Sequence, residues 1–225
     1  MLEIGGVELL PPLAMFLAFA LSGLALNLVP GADMAYVIAS GARSGACAGV
    51  AASVGVAAGA LCHTLLTVIG ISALIASSPM LFDALKWLGS AYLVYLAVKL
   101  VRERGSVSAA EVPTAGSNAA IVRGGMLVNL LNPKVALFFV AFLPQFVDPA
   151  AQSRPLQMFA LGLWFNLVGT LVNCVIGIAA AGAGVRLRKM PWLPAVARWF
   201  AAFTFVGLAL RLILSERAGG LVRQA

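Results

Sequence analysis

PLAMFLAFALSGLALNLVPGADMAYVIASG, residues 12–41, is an apolar run interrupted near its middle by Pro30-Gly31. A membrane-spanning helix needs about 20 apolar residues, so the run is long enough to cross. Proline cannot donate a backbone hydrogen bond, and its ring clashes with the preceding turn. In a bilayer the carbonyls it frees must find partners in protein or in a water-lined cavity. Residues 120–147 repeat the design, with Asn132-Pro133 at the middle. Both breaks carry polar company: Asn27 and Asp33 at the first, Asn129, Asn132 and Lys134 at the second. This register places Asp33 and Lys134 near the bilayer centre, where a charge costs at least about 2.5–3.5 kcal/mol.

The rest of the chain fits the same solvent. Of 225 residues, 62% are hydrophobic and 10% charged, with a mean hydropathy of +1.01. Soluble domains carry roughly 25% charged residues. Further apolar segments run over 45–77, 81–101, 156–185 and 193–214, which makes six in all. The polar stretch 102–119, with Gly105, Pro113 and Gly116, reads as a flexible linker. It separates a first unit, 1–101, from a second, 120–215, followed by a polar tail, 216–225.

The two units resemble each other. Lys86-Trp87 with Leu96–Val101 recurs as Arg198-Trp199 with Leu208–Ile213, at an offset of 112. Val68-Ile69-Gly70-Ile71 recurs as Val175-Ile176-Gly177-Ile178 at 107, and Pro30 pairs with Pro133 at 103. An odd number of spans per unit turns the second copy upside down, as in the inverted repeats of many secondary transporters. The expected fold is all-α and integral to the membrane: six transmembrane helices as two inverted three-helix repeats, with helices 1 and 4 broken near mid-membrane. A duplication that only builds a symmetric bundle is the plainer alternative.

The net charge of +7 does not point to nucleic acid. Its basic residues sit mainly between or at the ends of apolar segments, where orientation signals lie, while Lys134 and Arg198 lie within segments. With the N-terminus outside, eight of them fall inside (Arg43, Lys99, Arg102, Arg104, Arg123, Arg186, Arg188, Lys189) and five outside, which favours that orientation. Glu3 and Glu8 precede the first run, and the first basic residue is Arg43, so the run reads as mature structure rather than a cleavable leader. Cys47, Cys62 and Cys174 show no metal-ligand spacing and read as small apolar residues.

The candidate substrate-binding set is Asn27, Pro30, Gly31, Asp33, His63, Asn129, Asn132, Pro133 and Lys134. Asp33 suits a substrate ammonium or a coupling proton. Lys134 suits a carboxylate, or neutralises Asp33. A structural Asp33–Lys134 ion pair is the alternative, and it is compatible with either role. Helix N-termini after Pro30 and Pro133 would suit a carboxylate, and the whole would fit a zwitterion. His63, the one histidine, is either a packed, hydrogen-bonded side chain or a proton carrier alongside Asp33. Asn166 and Asn173 share a helix face, so they are expected to line the interior. Gly41, Gly45 and Gly49, like Gly55 and Gly59, have the small-xxx-small spacing of close helix packing, within one chain or in a homodimer.

No Ser-His-Asp set, HExxH, phosphate-binding GxxxxGK or acidic cluster occurs. No enzyme activity and no cofactor is therefore expected, and an ATP-driven pump is disfavoured. Expected partners are a small amino-acid-like molecule and membrane lipid. A metal-cation exporter using Asp33, His63 and Cys62, and a non-transporting membrane scaffold, are the alternatives.

At these motifs the sequence resembles the LysE/RhtB superfamily of amino-acid exporters. The matching blocks are Pro30-Gly31 with Asp33; Gly55, Gly59 and His63; Lys86-Trp87-Leu88-Gly89 with Ala91-Tyr92-Leu93 and Tyr95-Leu96; Asn129-Leu130-Leu131-Asn132-Pro133-Lys134; and Phe142-Leu143-Pro144-Gln145-Phe146. They cover about residues 12–215 in order. The resemblance implies a six-span, multi-pass inner-membrane exporter of basic or neutral amino acids, homoserine, threonine or homoserine lactones, driven by the proton gradient. Ala32 departs from the Pro-Gly-Pro usual in that family, which predicts a softer first break.

Overall fold

The computed structural model describes residues 3–4, 7–77, 117–148 and 151–183, with isolated positions between 80 and 102 and between 199 and 206. The expected segments 81–101 and 193–214, and most of the linker, lie outside the described residues. A short antiparallel pair, β1 (Glu3–Ile4) with β2 (Val7–Glu8), precedes the helices. Six helices follow among the described residues: α1 (Leu13–Leu28), α2 (Ala32–Ser44), α3 (Ala46–Ser77), α4 (Asn118–Leu130), α5 (Pro133–Leu137) and α6 (Arg154–Ala183). The expected segments 12–41, 45–77, 120–147 and 156–185 match α1–α2, α3, α4 through the turns ending at Phe146, and α6 to within a few residues.

Two of these helices are long and apolar enough to cross a membrane, over Ala46–Gly70 and Arg154–Gly182. The 25 residues of the first rise about 37 Å at ~1.5 Å each, more than the ~30 Å hydrocarbon core. Two bent pairs, α1–α2 and α4 with the chain from Pro133 to Phe146, pass the same criterion together, which brings the candidate spans to four. The side chains are arranged for lipid. Leu163, Leu167, Leu171, Val175 and Ile178 form one exposed stripe on α6, and Leu13, Leu17 and Leu21 another on α1. The opposite side of α6 is buried at Met158, Leu161 and Phe165, then turns polar at Asn173.

The breaks fall where proline chemistry puts them. α1 bends into α2 by 52° across Val29-Pro30-Gly31, and α4 bends into α5 by 53° across Leu131-Asn132. The two bends are equal to within a degree. Ala32 is the first residue of α2, where a helix leaves its N–H unbonded anyway, and extended Gly31 (φ −153°, ψ −172°) makes the turn. At the second break Asn132 caps α5: its Oδ1 accepts from Lys134 N at 3.0 Å, with Pro133 in the first turn. Beyond Leu137 the chain opens into a π turn, Phe138–Phe142, then tightens into a 3-10 turn, Leu143–Phe146. Pro144 accounts for the irregularity, because it has no N–H for the carbonyl four residues earlier.

α3 lies between α4 and α6, and α6 also packs on α1 and α2. Glycines make these contacts close. A Cβ on Gly49 would lie 2.8 Å from Gly177 Cα, and one on Gly59 would lie 2.7 Å from Asn129 Cβ. Gly41 likewise meets Gly177, and Gly55 meets Val122. At these four glycines the small-xxx-small spacing serves packing inside the chain, whereas Gly45, at φ 88°, ends α2. A second core joins Phe19, Phe138, Phe139, Phe142, Phe146 and Phe165, so that α1, the π and 3-10 turns and α6 share one aromatic cluster.

Candidate functional site

The two breaks meet. Asp33, in the first turn of α2, is 8% exposed, and its Oδ2 accepts from Asn132 Nδ2 at 3.0 Å and from Asn129 Nδ2 at 3.2 Å. Lys134, in the first turn of α5, donates from Nζ to Val29 O at 3.2 Å and to Leu26 O at 3.3 Å. Each charge of one broken helix is thus answered by polar groups of the other, rather than the two charges closing directly on each other. Gly31 leaves room for this crossing, since a Cβ there would lie 3.1 Å from Lys134 Nζ.

Backbone arithmetic explains these partners. In an uninterrupted helix, Leu26 O would accept from residue 30 and Asn129 O from residue 133. Both positions are proline. Leu26 O instead accepts from Lys134 Nζ and from Val29 N, both at 3.3 Å. Asn129 O takes Asn132 N at 3.0 Å and His63 Nε2 at 3.2 Å. A carbonyl only accepts, so His63 Nε2 carries the proton here. The imidazole stacks on Phe139, with ring centres 5.9 Å apart and planes at 18°.

Between the breaks lies a cavity of about 30 Å³, with room for two or three waters at roughly 10–15 Å³ each. Of the expected site residues, Asn27, Asp33, Asn129 and Lys134 line it. Asn132 and His63 reach the cluster through their hydrogen bonds, and Pro30, Gly31 and Pro133 form the breaks themselves. Asn166 and Asn173 line it as well, although Asn166 Nδ2 is committed to Ala57 O at 3.0 Å. Thr170, which the sequence reading passed over, lines the cavity and donates to Asn166 O at 2.7 Å. It sits four residues after Asn166 and three before Asn173, so their shared face could have revealed it. Three side-chain atoms of the cavity have no hydrogen-bond partner: Asp33 Oδ1, Asn129 Oδ1 and Asn27 Nδ2. Among the described residues, no three of His, Cys, Asp and Glu come together as a metal site.

Apolar side chains outside, and polar groups gathered around two breaks inside, mark a multi-pass membrane protein. The chain belongs to the LysE type translocator family, which matches residues 24–216. It is 33% identical over 201 residues to a membrane protein of Vibrio cholerae, covering 89% of this chain and 97% of that one. It is 31% identical over 203 residues to a membrane protein of Pseudomonas aeruginosa, covering 88% and 94% respectively. Both relatives are described as uncharacterised. No solved structure matches the chain.

Proposed function

We propose that this protein is a secondary exporter of amino acids or closely related metabolites across the inner membrane, driven by the proton gradient. The substrate would sit between the two broken helices. The observation that carries this reading is the buried Asp33 carboxylate: one oxygen is held by Asn129 and Asn132, while the other lacks a partner in a residue that lines the cavity. A half-satisfied buried carboxylate is costly, and a substrate ammonium or a transported proton would complete it. The matched bends of 52° and 53° support two inverted repeats of three spans each, because interrupted helices at corresponding places mark transporter sites. On this reading the N-terminus lies outside. Metal export finds no support in the arrangement of His63, Cys62 and Asp33.

The test is an export screen in cells with and without the gene, loaded with dipeptides so that each amino acid accumulates inside. Expression should raise the efflux of at least one amino acid. Asp33→Asn should lower that efflux at least tenfold with an unchanged amount of protein in the membrane. Full efflux by Asp33→Asn would sink the assignment of the site.

A further inference from the structure

The cavity offers more hydrogen-bonding capacity than its own side chains use. Buried polar atoms are paired in the great majority of cases, yet Asp33 Oδ1 and Asn129 Oδ1 are acceptors without a donor, and Asn27 Nδ2 is a donor without an acceptor. Asp33 and Asn129 are more than nine-tenths buried. Lys134 has three N–H groups and gives two of them to Leu26 and Val29. The open valences are therefore two acceptors, one of them anionic, and two donors, one of them cationic.

Among the described residues, the formal charge of the lining sums to zero. Of those residues, Asp33 and Lys134 are the charged ones around the cavity; the other polar ones are Asn27, Asn129, Asn166, Thr170 and Asn173. We infer that the site selects zwitterions of zero net charge and rejects amino acids with a charged side chain; this rests on the export reading above. The substrate ammonium is taken by Asp33 Oδ1 and Asn129 Oδ1, and its carboxylate by Asn27 Nδ2 and the third N–H of Lys134. The side chain lies against Met34, Val56 and Phe165, which supply no charge. A lysine or arginine substrate would carry a second cation into a water-poor space that already holds Lys134, with no further acid among the described lining residues. A glutamate would bring a second anion with no further base. An uncompensated charge in such surroundings is strongly penalised. At about 30 Å³ the site is contracted and must widen to admit an amino acid, but widening does not change the sum of the charges on its walls.

Counterflow into liposomes containing the purified full-length protein tests this. The vesicles are loaded with unlabelled neutral amino acids, and entry of labelled threonine, leucine, lysine, arginine and glutamate is followed. The charged substrates should enter at least tenfold more slowly than the best neutral one. Asn173→Asp adds a carboxylate to the lining at constant shape, and should raise lysine entry relative to the neutral substrate at least fivefold. Wild-type entry of lysine or arginine as fast as any neutral amino acid would overturn the charge selection and leave amino-acid export standing. Entry of none of them would overturn both. The wild-type comparison decides alone if the variant fails to reach the membrane.

Discussion

The ammonium of Lys134 caps a carbonyl that Pro30 leaves open: its Nζ donates to Leu26 O, four residues before that proline, at 3.3 Å, and to Val29 O at 3.2 Å. The cation that a sequence reading pairs with Asp33 is thus first a backbone cap for the opposite half of the molecule.

Lys134→Met should accordingly destabilise the fold by about 1–3 kcal/mol for each carbonyl left without its donor. The loss should persist when Asp33 is already Asn. A double-mutant cycle of thermal unfolding in detergent separates the two roles. Were the lysine mainly an ion-pair partner, Asp33→Asn would erase the effect of Lys134→Met. The cap predicts a coupling smaller than either single loss.

His63 offers a cleaner separation. Its Nε2–H donates to Asn129 O at 3.2 Å, the carbonyl that Pro133 leaves open, and Asn129 in turn donates to Asp33 at 3.2 Å. The histidine therefore acts on the site by holding the end of α4. Glutamine can donate to the same carbonyl but cannot titrate. His63→Gln should keep more than about half of the efflux, whereas His63→Phe, which keeps the ring against Phe139, should lose most of it with about 1–3 kcal/mol of stability. The reverse order, with Gln inactive and Phe active, would return His63 to the role of proton carrier. Efflux rates and unfolding midpoints of both variants decide.

Much of this was legible in the chain because proline acts locally. Pro30 and Pro133 each delete one donor, so the positions of the breaks and the identity of the orphaned carbonyls follow from counting back four residues. The partners of those carbonyls do not follow. Lys134 reaches Leu26 across 108 positions of sequence, and His63 reaches Asn129 across 66; only the packing of one half on the other sets such pairs. Tyr36 is a similar case. It reads as one more aromatic in an apolar segment, yet its hydroxyl donates to Ile121 O at 2.9 Å and ties α2 to α4. Repetition also misleads locally. Gly70 and Gly177 occupy matching places in the duplicated Val-Ile-Gly-Ile, but no described residue comes within 4 Å of a Cβ on Gly70, whereas Gly177 is pressed against α3.

That contrast is itself testable. A Cβ at Gly177 would lie 2.9 Å from Gly49 Cα and 3.0 Å from Val37 Cγ1. Backbone cannot step aside as a flexible side chain can, so Gly177→Ala should push α6 away from α2 and α3 and cost about 1–3 kcal/mol, the usual range for overpacking. Gly70→Ala, the control at the matching position, should leave the unfolding midpoint unchanged or raised, since alanine is the better helix former by up to ~1 kcal/mol. Equal sensitivity at the two positions would refute the packing described here.

Ala32 provides the last test, because the structure gives a reason for the missing second proline. The residue opens α2, where its N–H has no helical acceptor to lose, and Gly31 before it is already extended, the conformation that a following proline requires. Ala32→Pro should therefore be accepted at full efflux and stabilise by about 0.4–1 kcal/mol, by narrowing the unfolded ensemble. Moving the same proline one residue on has the opposite outcome. Asp33→Pro removes the carboxylate that Asn129 and Asn132 hold, and should abolish export even in protein that still folds. Unfolding midpoints and efflux of the two variants, measured side by side, check whether backbone geometry or the side chain at Asp33 governs the first break. A loss of efflux in Ala32→Pro comparable to that in Asp33→Pro would show that the break must flex at Ala32 during transport, and would overturn the view of α2 as a preformed half-helix.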